Sequence, residues 1–400
     1  ALTAELRAHL IRDTLARFRK GLATQLVDTL AQAPQSASPL FLTLALEELR
    51  LDARHATLSS TLEDILAQPD AEHLFLHAFL LDPDNNRPEQ PDLAVRFMAL
   101  LGASRAGLTE HELADLLALP SDPVLNKAPA TEEVKPRLPQ VHLSRLLTNF
   151  QPFLLNKDGR RAPMHRIFGV AALAHAGVSA IREQLYAYFH PGHGTAWDSV
   201  DGRRASEALY QITQLTGLET GPQWAYRDRL VGDLGCLRVP AFLHDIAKEV
   251  TADALMVLNE GDKQELGDQW QQVIEALDLE AVSQASDRIL GLAGWMQDMA
   301  YDRYRVPRRL AESLLARQER LLPVDDPKLA GIMGQLGGLC VDMADYSTVR
   351  PLYERALAIR EQALGPTHPD TANSLNSLAV YLKKTGDPTD LAAARPLYER

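Results

Sequence analysis

The pentapeptide Pro351-Leu352-Tyr353-Glu354-Arg355 returns as Pro396-Leu397-Tyr398-Glu399-Arg400, 45 residues further on. The segment before it repeats at a spacing of 42, with Pro327, Ala330, Leu336 and Asp345 falling on Pro369, Ala372, Leu378 and Asp387. A period of roughly 20 to 50 residues constrains a chain more than its composition does, because each unit has to bury its apolar stripe on the next. The three extra residues of the longer spacing are Pro388-Thr389-Asp390, where a turn is expected to absorb them. A fainter copy, Leu310 to Leu322, aligns with Leu352 to Leu364, so the array is expected to begin by about Ser286.

Within a unit, Ala372, Leu375, Ala379 and Leu382 recur at helical spacing, and Gly365-Pro366 and Gly386-Asp387 punctuate the ends. Each unit reads as a helical hairpin, and stacked hairpins make an α-solenoid with an extended groove. Gly331, Gly334, Gly337 and Gly338 lack the GxGxxG spacing of a nucleotide loop and follow no strand. They are expected to be small positions where a repeat helix packs closely.

The stretch from Pro351 through Thr371-Ala372, continued by Ser374-Leu-Asn-Ser-Leu-Ala379, closely resembles the 42-residue tetratricopeptide repeats of kinesin light chains and nephrocystin-like proteins. The resemblance covers about the last quarter of the chain. It implies that the first helix of each hairpin lines a concave groove, where Asn side chains hold the backbone of an extended protein or peptide ligand. Asn376 matches that motif, with Asn373 and Lys383 beside it, and these three are the expected peptide-binding residues. Plain surface remains the other reading of Asn376, because Ser377 stands where the family has a second Asn. The same face one repeat earlier is Gly331, Gly334, Gly338 and Val341, so ligand contacts are expected further along the array.

The front half follows another pattern. Ala4 to Lys20, Leu22 to Ala31 and Pro39 to Leu51 read as helices of a small bundle. Leu108-Thr109-Glu110-His111-Glu112-Leu113 is a capping box with a hydrophobic staple, so a helix starts there. A second helix is expected from about Val141 to Phe150. Then come Phe153-Leu154-Leu155, a turn at Asn156-Lys157-Asp158-Gly159, and Ala162 to His165, which reads as a β-hairpin. Helix, helix, hairpin is the plan of a winged helix. The expected architecture is all-α: a helical lid-like bundle over 1–90, a winged-helix-like domain over 91–200, a helical connector over 201–285 and the repeat array over 286–400.

Pro39 to Arg50, Gly107 to Leu113 and Met164-His165 resemble the end of a STAND-type nucleotide-binding module of the NACHT or NB-ARC kind. In that family a helical lid and a winged helix follow a P-loop domain and close over the nucleotide. The resemblance implies that His165 donates to the β-phosphate of ADP and that Pro39 packs near the adenine, although Arg166 replaces the Asp of the Met-His-Asp motif. Without a ligand, His165 is a histidine at the base of the hairpin and Pro39 is the first residue of a helix. No GxxxxGK[ST] occurs, so ADP or ATP would be reached only through an upstream domain, and no cofactor belongs to this segment itself. Both ends read as cut, so the chain is expected to be a piece of a longer protein.

Several function classes find no support in the residues. His111-Glu112-Leu-Ala-Asp115 lacks the second His of a zincin, His190 and His193 have no third ligand nearby, and no nucleophile elbow is present, so neither a metal site nor a catalytic residue is expected. A net charge of -12, from 53 acidic and 41 basic side chains, disfavours nucleic acid. The local exception is Lys157, Arg160 and Arg161 on the hairpin, with Arg145 and Asn149 on the helix before it, which would suit a DNA-binding winged helix. Two distant cysteines, Cys236 and Cys340, fit a reducing, cytoplasmic setting, and no apolar run is long enough to span a bilayer. The chain is therefore expected to be a non-enzymatic regulatory and sensor segment of a STAND-class NTPase, able to oligomerise when activated. The alternatives are an adaptor or scaffold of kinesin light chain type and a winged-helix transcription regulator.

Overall fold

Between Leu93 and Ala103 the sequence is apolar on every side apart from Arg96 and Gly102, and such a run of helix formers has to be a helix enclosed by others. The computed structural model describes residues 2–18, 21–51, 58–119, 136–190, 202–218, 223–236, 253–254, 257–258, 260–276, 278 and 305–400. Its contacts divide the chain into two compact units, Ala1–Tyr188 and Phe189–Arg400. Among the described residues the architecture is all-α except for one three-stranded sheet. The expected array start near Ser286 and the expected helix end at Lys20 lie outside the described residues.

The first unit opens with α1 (Ala4–Arg17), α2 (Thr24–Gln32) and α3 (Pro39–Leu51). Helix α1 starts where the Thr3 hydroxyl accepts from the Leu6 N–H, and buries Ala8, Ile11 and Leu15 on one stripe. After α4 (Leu58–Ala67), the short α5 (Ala71–Phe75) runs into a π-type turn at Leu76–Leu80. Its last carbonyls are met by two asparagines, since Asn85 Nδ2 donates to Phe79 O at 2.8 Å and Asn86 Nδ2 to Leu80 O at 3.0 Å. Helix α6 (Leu93–Ala103) follows, with nine of its eleven residues buried.

The capping box forms in full at the start of α7 (Glu110–Leu116): Glu112 N–H donates to Thr109 Oγ1 at 3.2 Å and Thr109 N–H to Glu112 Oε2 at 2.7 Å. Helix α8 (Gln140–Asn149) leads through a 3-10 turn into β2 (Leu154–Lys157) and β3 (Arg160–Pro163), and β1 (Leu108–Thr109) pairs with the other side of β3. The turn is shorter than expected. Asn156 and Lys157 belong to the ladder, opposite Arg161 and Arg160, and only Asp158 and Gly159 turn, with φ of 53° and 75°. Two consecutive positive φ values match the right-handed twist of the strands, which is why Asp-Gly makes the reversal in two residues.

Helix α9 (Arg166–Ala176), which lies against α6, and α10 (Val178–Phe189), as far as Tyr188, complete the unit. An aromatic cluster fills the middle: Phe75 sits 4.3 Å from Phe168 and 5.3 Å from Phe153, and Phe97 5.7 Å from Phe150, between ring centroids. Phe75 comes from before residue 90 and the other rings from after it, so α5 shares a core with the hairpin region.

In the second unit α11 (Gly202–Thr216), α12 (Gln223–Cys236), α13 (Glu260–Ala276) and α14 (Arg305–Leu321) precede the repeat helices. The repeats consist of α15 (Pro327–Asp342), α16 (Val349–Leu364), α17 (Pro369–Thr385) and α18 (Pro388–Glu399). Among the described residues, each helix from α13 onward packs on the next one described, the contact pattern of a solenoid. Among the described residues no helix is long and apolar enough to cross a membrane.

Candidate protein-interaction face

Three of the four repeat helices begin with the same device. Asp326, His368 and Asp387 each accept a hydrogen bond from the backbone N–H two residues on, and each is followed by a proline that starts the helix with its φ already set. Pro388-Thr389-Asp390 is therefore not the turn expected of it but the first turn of α18. The hydrogen bonds from Thr389, side chain and N–H, hold the Asp387 carboxyl below the usual carboxylate range. This start to the helix puts Asp390 3.2 Å from Arg350 of the preceding hairpin and 2.9 Å from the Thr385 hydroxyl.

Packing inside the array rests on aromatic residues over small ones. Tyr353 of α16 lies on Gly337 of α15, and its ring meets Tyr381 of α17 edge-on at 6.1 Å. Tyr381 in turn donates to the Tyr346 carbonyl at 3.3 Å. Burial pushes the Tyr353 hydroxyl up to about 12. Arg360 links α16 to α17 by donating to Ser374 Oγ at 2.7 Å, and Arg308 of α14 pairs with Glu312 on its own helix at 2.8 Å and with Asp345, in the connection after α15, at 2.7 Å.

The buried face of α17 is Thr371, Ser374, Leu375, Leu378, Ala379, Tyr381 and Leu382. Ala372, expected on that stripe, is exposed, and Thr371 takes the inward place, donating to the Gly365 carbonyl at 2.8 Å. Asn373, Asn376, Val380 and Lys383 lie together on the outward face. No hydrogen bond or ion pair engages the side chains of Asn373, Asn376 or Lys383 among the described residues. Ser377 donates back to the Asn373 carbonyl at 2.9 Å and is spent on its own helix. On α15 a Cβ at Gly331 or Gly334 would meet nothing within 4 Å, and one at Gly338 only the Tyr353 hydroxyl at 3.9 Å. Close packing accounts for Gly337 alone among the four glycines. The result is a hairpin with a bare backbone surface followed by one bearing two free amides and an ammonium.

The residues expected to face a nucleotide lie in the first unit, at the starts of two helices. His165 is exposed and caps α9, its Nδ1 accepting from the Ile167 N–H at 3.3 Å, with its ring 5.9 Å from Phe168. Pro39 is exposed at the first position of α3. No hydrogen bond or ring contact joins the two among the described residues. Arg145 and Asn149, the side chains a DNA-reading helix would offer to bases, are held locally: Arg145 lies 3.5 Å from Asp84 and Asn149 donates to Asn85 at 2.7 Å. Sequence reading missed this pairing, because a 64-residue separation leaves no local signal. Another grouping it missed is Asp115, which receives Tyr188 at 2.9 Å and Arg137 and lies 3.6 Å from His111. Among the described residues no group of three or more acidic, His or Cys side chains could hold a metal ion; His193 lies outside them.

Helices that pack in succession, each on the next, with α15 also touching α17, define an α-solenoid repeat over this stretch. A family model described as tetratricopeptide repeat matches residues 328–400. No curated protein matches the chain. Repeats of this kind are surfaces for protein–protein interaction.

Proposed function

We propose that this chain is the regulatory and sensor segment of a STAND-class NTPase, in which the repeat array captures a protein or peptide ligand. The carrying observation is the outward face of α17, where Asn373, Asn376 and Lys383 have solvent in place of partners. Two amides with both donors and acceptors unspent can bond an extended backbone in either direction, and the ammonium suits an acidic group beside it. The chain itself contributes no catalysis.

The nucleotide side of the reading rests on the resemblance and on the geometry of His165. With Nδ1 accepting a backbone hydrogen bond, the neutral ring carries its proton on Nε2, an exposed donor at the positive end of a helix. Exposed Arg166 follows it. These groups fit a phosphate, and Pro39 offers an apolar surface to a base. The sequence has no GxxxxGK[ST] motif, so ADP or ATP would be held mainly by another domain and only touched from here. Capture of a ligand by the repeats would shift the parent protein toward an open, oligomerising form in the cytoplasm.

The test is nucleotide retention by the parent protein, purified, denatured and assayed for released ADP and ATP beside His165→Ala. Nucleotide kept by the wild type and reduced in the variant is the expected result. No nucleotide in either removes the NTPase reading and leaves the adaptor of kinesin light chain type. The transcription-regulator reading is disfavoured by the local pairing of Arg145 and Asn149.

A further inference from the structure

Lys157 and Arg160 stand directly opposite each other across the last pair of the β2–β3 hairpin, on either side of the Asp158-Gly159 turn. Like charges placed so destabilise an antiparallel strand pair. Neither side chain has a hydrogen bond or ion pair among the described residues, and Asp158 between them forms no ion pair with either. Arg161, on the opposite face of β3, is by contrast neutralised by Glu110 at 2.8 Å. From Gln151 to Arg182 the chain carries five cations, Lys157, Arg160, Arg161, Arg166 and Arg182, and one acid, Asp158, in a protein of net charge -12.

Strand alternation puts Leu155 on the same face as Lys157, and the register puts Ala162 opposite Leu155. Leu155 is 51% exposed. The outward face of the hairpin therefore has an apolar root and a doubly cationic tip. A phosphodiester backbone would use the tip and leave the leucine in water. The helix that would enter a DNA groove has its Arg145 and Asn149 engaged, beside an Asp84 whose side chain is 87% exposed and would repel phosphates.

We propose that this face docks an acidic amphipathic helix of a partner protein, with carboxylates on Lys157 and Arg160 and an aliphatic side chain over Leu155 and Ala162. The cross-strand repulsion is a loss of stability that an anionic partner relieves, and the exposed leucine favours protein over nucleic acid as that partner.

The test uses the whole chain and a fluorescein-labelled helical peptide of Glu-Glu-Leu-Leu repeats, with poly-glutamate and a DNA duplex as competing probes. Lys157→Glu should weaken the peptide about tenfold, and Leu155→Ser should also weaken it with no change of charge. Lys157→Glu should at the same time raise the melting midpoint of the first unit by about 1–2 °C, because it turns a repulsive pair into an attractive one. Failure of the peptide to bind, binding unchanged in either variant, or poly-glutamate binding as tightly as the peptide would overturn the proposal. So would a preference for the duplex that the same substitutions abolish, which would assign the face to phosphodiesters.

Discussion

Tyr353 rests on Gly337 so closely that a Cβ added to the glycine would lie 2.5 Å from Cε1 and 3.0 Å from Cζ of the ring. The ring is buried and also meets Tyr381 edge-on, so moving it away from the glycine disturbs a second aromatic contact. Gly337→Ala should destabilise the array by about 1–2 kcal/mol, an overpacking cost of about 1–3 kcal/mol less the helix propensity that alanine restores. Urea unfolding followed by hydrogen exchange in α15 and α16 measures it.

Gly331 and Gly334 should behave in the opposite way on the same helix. Nothing lies within 4 Å of a Cβ at either position, so alanine there gains helix propensity with no clash. Each substitution should stabilise by about 0.5–1 kcal/mol. A loss of stability at either would mean that the surface of α15 is not the open one described.

Ala344 is held at φ of 56°, the left-handed region, where the equivalent residue of the next repeat is Gly386 at 73°. A side chain in that conformation costs about 1 kcal/mol. Ala344→Gly should raise the stability of the second unit by about that amount, and thermal melting of the two proteins side by side reads it directly.

The Tyr353 hydroxyl titrates near 12 in the fold, raised by burial, against roughly 10 in an unfolded chain. A group whose folded value is raised contributes stability that is intact below pH 10 and lost as pH rises through 12. The wild-type array should therefore weaken over that window by up to about 2 kcal/mol more than Tyr353→Phe, which has no proton to lose. Parallel curves for the two proteins would show that ionisation of Tyr353 does not limit the fold at high pH.

Much of this molecule was legible in its sequence, and the parts that were not share a cause. The repeat, the capping box and the hairpin all depend on residues close in sequence, so spacing alone exposes them. Apolar periodicity points Ala372 inward because it counts only apolar residues, whereas Thr371 and Ser374 sit in the core with their hydroxyls satisfied by Gly365 and Arg360. Pro388 was read as a turn because proline breaks helices, yet after Asp387 it opens one, as Pro327 does after Asp326. For the interaction face, spacing placed Asn373, Asn376 and Lys383 together on one side of a helix. It could not show that Ser377 turns back on the backbone. Nor could it show that α8 is engaged by Asp84 and Asn85, which depends on contacts between distant parts of the chain.

Helices α6 and α9 cross at Gly102 and Gly169, where a Cβ on either glycine would lie 2.4 or 2.6 Å from the Cα of the other. Because the obstacle is backbone, Gly102→Ala cannot be relieved by a rotamer change and should cost about 2–3 kcal/mol or more, measured as a lower urea midpoint for the first unit.

A crossing made of two bare backbones has no side chains to slide or repack, so it works as a pin rather than a cushion. The hairpin β2–β3 is joined to α9 through only Met164 and His165, and so it inherits the fixed bearing of that pin. A charged tip on such a mounting can be aimed by the fold before any partner arrives, and little orientational freedom remains to be given up on docking.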